Sequence, residues 1–528
     1  MRPTPCRVPC RAVLGAALLA LVPWALPAQG GPQVDVLLLR GTVVDGRGGA
    51  ARVADVGITG DRITFVGDAC VAGVRARETV DVTGRVVAPG FIDPHTHAYG
   101  ELQGDRAEVR RNAGYLLQGV TTVVVGNDGS GPADVGAHLA RWASRGIGTN
   151  AALYVGFGTI RAQVLGMSSA APDAAQLARM RALVARGMDD GALGLSTGLY
   201  YAPQSYAATD EVVALAREAA ARGGIYDSHL RDESSYSIGL LGAVREALQV
   251  GREAGLPVHI AHIKALGTDV WGQSDSVVAL VAAARAAGQR VTADQYPYTA
   301  SGTSVGASLL PRWAEAGGRD SLRARVHDPA TKARLLADMA VNMRRRGGAP
   351  SLLITSGRYA GRTLAQVAEG EGRDPLASAI DLVLAGDAGV ASFNMQERDI
   401  VRLMRESWVF TGSDGSDGHP RKFGTFPRKL REYVLGGARV LTLEQFVQRS
   451  SGDVAAALGI AGRGVLAPGM FADVVVMDTA RVRATATYEA PTQPADGMVH
   501  VLVNGAFAVR DGVPTTALAG RGLRRGAR

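Results

Sequence analysis

The segment VVAPGFIDPHTHAYGE, residues 86–101, decides the fold. An apolar run ends in two histidines, His95 and His97, which are separated by one residue. Side chains at positions i and i+2 of a strand point to the same side. Both imidazoles can therefore face one cavity at the end of a buried strand, and neutral imidazoles are common ligands of Zn²⁺ and similar divalent ions.

Seven further apolar segments follow, separated by stretches rich in Ala, Leu and Arg that predict helices. With the first, the segments read VVAPGFID, TTVVVGN, AALYVGF, ALGLSTG, GGIYDSH, VHIAHIK, RVTADQY and WVFTGSD. Apolar strands that alternate with helices predict a parallel sheet covered by helices. Eight such units in residues 89–467 predict an α/β fold, namely a (β/α)₈ barrel of the TIM type.

The chain ends and one internal stretch depart from this alternation. Short β segments split by glycines fill residues 33–88 and return in residues 468–520. They predict one small β-sandwich domain built from both chain ends. The interval between the seventh and eighth barrel strands is long. We expect residues from about 299 to 400 to form an inserted, lid-like segment with helical stretches such as residues 321–343.

Composition excludes several classes of protein. The chain has 528 residues, of which 47% are hydrophobic and 20% charged, values typical of a globular protein and unlike those of a disordered chain. Its formal net charge is +8, but many arginines lie near the two termini, and aromatic residues make up only 5%. Nucleic-acid binding requires clustered basic side chains interleaved with aromatics, so we expect no nucleic-acid partner.

Residues 1–28 have the pattern of a signal peptide. Basic residues precede an apolar run at residues 12–26, which is short for a membrane-spanning helix. Cleavage would remove Cys6 and Cys10 and leave Cys70, so no internal disulfide could form. We expect a periplasmic or secreted protein without a stable membrane anchor once the signal is removed; the alternative is an uncleaved N-terminal anchor.

Polar side chains concentrate where the predicted strands end, which is where (β/α)₈ barrels carry their reacting groups. Besides the first pair of histidines, the strand ends carry Asp128, His229, His262, Lys264 and Asp414. A single histidine in a strand is more often a core residue than a ligand. Four of the nine histidines in register with carboxylates instead favour a metal site.

Several motifs resemble those of one known family. PGFIDPHTHAYGE resembles the first-strand signature of the amidohydrolase superfamily, whose small β domain is also built from both chain ends. More specific motifs are similar to the N-acyl-D-amino-acid deacylase (D-aminoacylase) branch. They are GVTTVVVGNDG, GFGTIR, GALGLSTGLYYAP, SHLRDES, HIAHIKALG, DQYPYTASGT, TGSDG and HPRKFGTFPRKL. Their order and spread extend the resemblance over nearly the whole chain after residue 40.

The resemblance implies roles for individual residues. Metal ligands would be His95, His97, His229 and His262, with Asp414 as the catalytic acid/base beside the metal. Contacts to the substrate carboxylate would come from Lys264, Tyr296 and Arg421. The implied cofactor is Zn²⁺ or another divalent ion, with one or two ions bound.

This chain departs from the family pattern at two positions. Family members with the closest motifs usually carry cysteine where this chain has Asp128, and a carboxylate makes the site richer in oxygen. Relatives often have histidine in place of Phe157, which we expect to alter the pocket wall.

The missing lysine on the fourth strand limits how two metals could be bridged. Many superfamily members with two metals bridge them with a carboxylated lysine on that strand, but this chain has no lysine before Lys264. Asp128 is then the best remaining ligand or bridge; the alternative is a turn residue in NDGSG.

Lys264 requires an anionic partner, because a lysine in an apolar strand is costly to desolvate. That partner is a neighbouring acid such as Asp294 or a substrate carboxylate. We favour the substrate, since Lys264 shares a strand face with His262.

The other predicted contacts also have simpler readings. Arg421 lies on the predicted loop after the eighth strand, where it could bind a carboxylate through two hydrogen bonds or remain a solvated cation. Tyr296 could donate a hydrogen bond or only pack. In SHLRDES, Arg231, Asp232 and Glu233 predict ion pairs that order a loop.

Together these features predict a metal-dependent amidohydrolase that cleaves N-acyl-D-amino acids, or related N-acyl amino acids and dipeptides. Water activated by the metal would attack the amide, with Asp414 as general acid/base. The alternatives are a cyclic-amide hydrolase resembling dihydropyrimidinase and a dipeptidase resembling isoaspartyl dipeptidase; the missing fourth-strand lysine counts against both. A metal-free barrel acting as a binding module would predict loss of the histidines or of Asp414.

Overall fold

A computed structural model describes residues 31–526 of the chain. The predicted signal peptide, residues 1–28, lies outside the described residues. None of the helices within residues 31–526 is long and apolar enough to cross a membrane. Strands are numbered β1–β22 and helices α1–α19 along the described part of the chain.

Strands from both chain ends form one nine-stranded sheet. Its members are β1 (Gln33–Val43), β2 (Arg52–Thr59), β3 (Arg62–Gly67), β4 (Arg75–Asp81), β5 (Val86–Pro89), β18 (Val474–Met477), β19 (Met498–Val503), β20 (Ala506–Arg510) and β21 (Val513–Pro514). The order is β21-β20-β19-β18-β5-β1-β2-β3, with β4 beside β1. β5 and β18 join the two ends in antiparallel pairing.

The side chains of β18 point alternately to the two faces of this sheet, and this explains how the sheet packs on the rest of the molecule. Val474 and Val476 point into a core shared with Val56 from the amino-terminal strands. Val475 and Met477 point the other way and belong to the large core of the barrel. Successive side chains of a strand face opposite sides, so one strand contributes to both cores.

Eight parallel strand positions form the barrel. They are β6 (Phe91–Asp93), β7 (Val120–Val125), β8 (Asn150–Leu153) with β9 (Val155–Gly156), β10 (Gly194–Gly198), β11 (Ile225–His229), β12 (Val258–Ile260), β13 (Val291–Gln295) and β17 (Val409–Thr411). Adjacent strands pair in this order. A parallel bridge between Thr96 and Gly415 closes the ring next to β6 and β17. The fold is therefore a (β/α)₈ barrel with a β domain from both chain ends, as the sequence predicts.

The first barrel strand is shorter than the sequence indicates. Residues 86–89 of VVAPGFID pair with β1 and β18 in the other sheet, and only Phe91–Asp93 pairs with β7. Gly90 lies at the crossing, where an added Cβ would approach the Thr121 side chain to 2.2 Å. A glycine is thus needed for the chain to leave one sheet and enter the other.

Helices surround the barrel, and their apolar faces contribute to its core. They are α1 (Tyr99–Gln103), α2 (Ala107–Arg110), α3 (Ala113–Leu116), α4 (Val135–Arg145), α5 (Phe157–Leu165), α6 (Ala174–Asp189), α7 (Thr209–Ala221), α8 (Gly239–Ala254), α9 (Ser274–Ala286), α16 (Glu397–Met404), α17 (Arg421–Lys429), α18 (Leu443–Ser450) and α19 (Gly452–Leu458). A π-helical turn at Leu430–Leu435 continues α17, and β22 (Gly522–Leu523) pairs with β8.

The segment between β13 and α16 has its own hydrophobic core. It contains a three-stranded antiparallel sheet of β14 (Ala300–Ser304), β15 (Leu352–Ile354) and β16 (Gly389–Phe393). Its helices are α10 (Val305–Leu309), α11 (Arg312–Glu315), α12 (Gly318–His327), α13 (Pro329–Arg345), α14 (Leu364–Glu371) and α15 (Pro375–Leu384). The sequence predicts the helical character of this insertion but not its sheet, whose strands are short.

Candidate metal centre

A cavity of about 600 Å³ opens at the carboxyl ends of the barrel strands. Strand-end side chains form its floor, including His97, His229 and Asp414. Ser301 and Thr303 of the insertion also line it. The insertion thus contributes to the wall of the cavity that the strand ends create.

Asp128 lies at the centre of four imidazoles. Its Oδ1 is 3.3 Å from His229 Nδ1, 3.4 Å from His262 Nε2 and 3.5 Å from His95 Nε2. Its Oδ2 is 3.6 Å from His97 Nε2. Residues that are far apart in sequence therefore converge on one carboxylate.

Asp414, which follows the last barrel strand, β17, is the second carboxylate of the cluster. Its Oδ1 lies 3.0 Å from His97 Nε2 and 3.6 Å from His95 Nε2. Its Oδ2 forms an ion pair with Arg421, whose Nη1 lies 2.7 Å away. The backbone fixes this arrangement, because the Asp414 N–H donates to the His95 carbonyl at 2.9 Å where the barrel closes.

Three residues of the cluster have left-handed backbone conformations. The φ angles are +56° at Asp128, +33° at His262 and +46° at Asp414. Such angles are uncommon outside glycine, and strained backbone tends to occur at functional sites. Each of the three residues lies two or three positions after the last residue of a barrel strand, where the chain leaves the barrel.

The cluster has donor atoms that suit a metal ion. Both ring nitrogens of His95, Nδ1 of His229 and Oδ1 of Asp128 are buried and have no hydrogen-bond partner in the described residues. Ligand atoms of His95, Asp128, His262 and Asp414 lie within 4.8 Å of one another. Buried polar atoms normally have partners, and an N/O donor set of this kind fits Zn²⁺.

The charges in the cluster support one another. Burial alone would raise the pKa of Asp128, but His95 and His229 outweigh it and hold that pKa well below its usual range. Burial opposes ionisation of Asp414 in the same way, yet Arg421 and His262 lower its pKa far below its usual range. Both carboxylates are therefore ionised at neutral pH, the form in which a carboxylate serves as a metal ligand.

Lys264 has a different partner from the neighbouring acid considered above. Its Nζ donates to Glu233 Oε1 at 2.6 Å, whereas Asp294 is paired with His259 at 2.9 Å. The same Glu233 oxygen is 3.1 Å from His262 Nδ1. Asp294 points to the neighbouring strand because it and His259 belong to paired strands β13 and β12.

Glu233 forms an ion pair, as the sequence predicts, but it lines the cavity, a position that the sequence analysis does not predict. It can also join a second group of ligand atoms, with His229 and His262. Its neighbours behave as predicted only in part: Arg231 forms an ion pair with Glu246, and Asp232 accepts hydrogen bonds from loop backbone N–H groups. The spacing of Glu233, four residues after the strand-end His229, was the available signal.

Tyr296 and Arg421 lie together beside the cluster. The Arg421 guanidinium is 4.7 Å from the centre of the Tyr296 ring, and Lys264 Nζ is 5.8 Å from it. The Tyr296 hydroxyl is buried with no hydrogen-bond partner in residues 31–526. Arg421 is the first residue of α17 rather than a loop residue, and it is almost fully buried. Two cations and a free phenol thus face one part of the cavity.

Phe157 does not line the cavity. It is completely buried in the barrel core at the start of α5, while the next residues, Gly158 and Thr159, face the cavity. The Phe157 ring therefore forms no part of the pocket wall, contrary to the expectation from the sequence.

Comparison with known proteins agrees with this architecture. The model of the Amidohydrolase family matches residues 78–509. The chain is 35% identical over 520 residues to D-aminoacylase of Alcaligenes xylosoxydans xylosoxydans, covering 93% of this chain and 98% of that protein. It is also 35% identical to N-acyl-D-glutamate deacylase of the same organism, with 94% and 97% covered.

A solved structure is similar over the same extent. N-acyl-D-glutamate deacylase from Bordetella bronchiseptica, complexed with zinc and a phosphonate inhibitor that mimics the tetrahedral intermediate, superimposes with a TM-score of 0.79. Its sequence is 33% identical, and the match covers 93% of this chain and all of that one. The chain therefore belongs to the amidohydrolase family, in the group that includes D-aminoacylase and N-acyl-D-glutamate deacylase.

Proposed function

We propose that this protein is a metal-dependent amidohydrolase that cleaves the amide bond of N-acyl-D-amino acids. The observation that carries this proposal is the convergence of four imidazoles and two carboxylates beside Lys264, Tyr296 and Arg421 in one cavity. Relatives similar over nearly the whole chain include a D-aminoacylase and deacylases of N-acyl-D-glutamate and N-acyl-D-aspartate. Family and site thus agree on the class of reaction.

The metal would be held by the residues of the cluster, which are His95, His97, Asp128, His229, His262 and Asp414. Zn²⁺ is the cofactor that this nitrogen and oxygen donor set fits, and the zinc-containing structure of a relative supports it. When bound, such an ion supplies Lewis acidity, which polarises a carbonyl group and makes water more acidic. Asp128, which takes the position usually held by cysteine, is central enough to serve as a ligand to one ion or a bridge between two.

Asp414 is the proposed general base and general acid. Its carboxylate is ionised, faces the cavity and has one oxygen near the imidazoles and the other on Arg421. In the first step Asp414 accepts the proton of the water that attacks the amide carbonyl. In the second step it transfers this proton to the nitrogen of the leaving amino acid. The Arg421 contact orients the carboxylate for both transfers.

Lys264, Tyr296 and Arg421 would bind the carboxylate of the substrate. Lys264 and Arg421 carry the positive charge, and the unpartnered Tyr296 hydroxyl supplies a hydrogen bond. Because Arg421 also contacts Asp414, the substrate carboxylate lies close to the base. This places the adjacent amide next to the cluster, which favours an N-acyl amino acid over an uncharged amide.

A substrate panel tests the proposal. Zinc-loaded protein is assayed with the N-acetyl derivatives of D- and L-leucine, D-methionine, D-glutamate and D-aspartate, together with an isoaspartyl dipeptide and a hydantoin. We expect hydrolysis of at least one N-acetyl-D-amino acid, abolished by chelation and restored by zinc. Hydrolysis of only the hydantoin or only the dipeptide would overturn the proposal in favour of the cyclic-amide hydrolase or the dipeptidase.

We also propose that the enzyme is exported. The support is the sequence pattern of residues 1–28, with basic residues before a short apolar run. The matching division of the mature chain assigns residues 33–88 and 468–520 to the β domain and 89–467 to the barrel. Fractionation of expressing cells, with and without residues 1–28, tests export: the full chain should be processed and found outside the cytoplasm, and the truncated chain retained.

A further inference from the structure

Glu233 is a buried carboxylate among three basic side chains of the cavity. Only 6% of the residue is exposed. Its Oε1 lies 2.6 Å from Lys264 Nζ and 3.1 Å from His262 Nδ1, and its Oε2 lies 4.0 Å from His229 Nε2. The roles proposed for these neighbours leave Glu233 itself without a function.

The His262 imidazole lies between two carboxylates. Asp128 Oδ1 is 3.4 Å from Nε2 on one side, and Glu233 Oε1 is 3.1 Å from Nδ1 on the other. An imidazole that coordinates a metal uses the lone pair of one ring nitrogen, and the other nitrogen then carries the proton. Because Nε2 is the nitrogen on the side of the cluster, Nδ1 is the one that keeps its proton and can donate to Glu233.

Glu233 could instead hold an ion of its own, because His229, Glu233 and His262 offer ligand atoms within 4.8 Å of one another. Lys264 argues against this. Its Nζ is 2.6 Å from Glu233 Oε1 and 2.7 Å from His262 Nδ1, so an ammonium group already occupies the place that a cation would take. A protonated Nδ1 cannot accept from Lys264, and therefore the imidazole and the ammonium group both donate to Glu233.

The backbone holds Glu233 against His262. The Leu266 N–H donates to the Glu233 carbonyl at 2.9 Å, which ties the loop after β11 to the loop after β12 that carries His262. The preceding residue, Asp232, accepts hydrogen bonds from backbone N–H groups two and seven residues further along the chain. The position of the Glu233 carboxylate is thus fixed from both loops.

We propose that Glu233 is a positioning residue, whose carboxylate accepts the Nδ1–H of His262 and thereby directs Nε2 toward the ion that the cluster would hold. The proposal rests on the proposed function, since it takes the cluster to be a zinc site. His95 has no comparable support, because the nearest carboxylate to its Nδ1, that of Asp294, is 4.0 Å away. Carboxylates that orient a metal-ligating histidine typically strengthen metal binding about 10- to 100-fold.

Zinc affinity, measured by competition with a chelator, tests the proposal without depending on activity. Glu233→Gln keeps the size of the side chain but removes its charge, and it should weaken zinc binding at least about tenfold. Glu233→Ala should weaken it at least as much, and the glutamine variant is sufficient if the alanine variant does not fold. The matched control is Glu369→Gln, at an exposed glutamate of α14, which should bind zinc as wild type does.

A double-mutant cycle with His262→Asn separates positioning from a general structural effect. If Glu233 acts through His262, adding Glu233→Gln to His262→Asn should lower zinc affinity by less than about twofold, measured with a weaker chelator. A loss as large as that in the wild-type background, or undiminished affinity in Glu233→Gln alone, would overturn the proposal.

The proposed function fails in a different way. A wild type that binds zinc but hydrolyses no N-acyl-D-amino acid would refute the function alone, and the zinc affinities would still decide the role of Glu233. A wild type that binds no zinc would refute both proposals.

Discussion

Lys429 is a buried lysine whose removal should stabilise the protein. It lies in α17 with no exposed surface, and its Nζ donates a weak hydrogen bond to the Phe410 carbonyl at 3.4 Å. Burial, together with the charge of Arg449, lowers its pKa to about 7 from the usual 10.5, against an opposing effect of Asp294. Lys429→Met replaces the amine by an apolar side chain of similar length. The variant should therefore be more stable than wild type at neutral and acidic pH.

The magnitude and its sign follow from proton linkage. Between pH 7 and 10.5 the unfolded chain keeps the Lys429 proton that the folded protein releases, so wild-type stability rises with pH in this window. Below pH 7 both states are protonated and the full cost of the buried charge applies. Lowering the pKa of Lys429 from 10.5 to about 7 corresponds to about 5 kcal/mol of lost stability when the amine is protonated. At pH 9 the buried lysine still lowers the free energy of unfolding by about 2 kcal/mol. The difference in free energy of unfolding between variant and wild type should therefore narrow by about 3 kcal/mol.

Urea unfolding at pH 6 and pH 9, followed by tryptophan fluorescence, measures this gap. Comparing variant with wild type at each pH cancels the titration of groups that both proteins share. Lys332→Met is the matched control, because Lys332 is exposed on α13, and it should change stability little at either pH. A Lys429→Met variant that is no more stable than wild type at pH 6, or a gap that stays constant up to pH 9, would refute the reasoning.

Two further predictions concern the reaction. Asp414→Asn should abolish nearly all turnover, because the amide cannot accept the water proton, while most of the zinc is retained; activity within a few-fold of wild type would show that Asp414 is not the base. Lys264→Ala should raise KM for an N-acetyl-D-amino acid far more than for the corresponding amide that lacks the carboxylate; equal effects on both would indicate that Lys264 only supports Glu233 and His262.

The sequence predicts the parts of the site that depend on the spacing of residues along a strand and on where each strand ends. His95 and His97 are two residues apart after a strand, and Asp128, His229 and Asp414 also follow apolar strands. In a closed parallel barrel these positions meet at one end whatever the helices do. The strand-end residues that line the cavity could therefore be predicted without coordinates.

Details that depend on long-range packing could not be predicted. Glu233 rather than Asp294 faces Lys264 because of the path of the loop after β11, which no local pattern encodes. Arg346 is one of three consecutive arginines, and only the packing of the insertion buries it while Arg344 stays exposed. The sequence does not predict the strands of the insertion, because they are short and because the residues of ASGTS are small and polar, which weakens the strand signal.

Zinc binding by wild type and Asp128→Asn tests the central claim, that the converging side chains hold a divalent ion. Protein is loaded with zinc and dialysed, its metal content is measured by mass spectrometry, and its affinity by competition with a chelator. Wild type should retain at least one zinc, Asp128→Asn should bind it at least about tenfold more weakly, and the exposed control Asp134→Asn should match wild type. A wild type that retains no zinc, or an Asp128→Asn variant with undiminished affinity, would contradict the account.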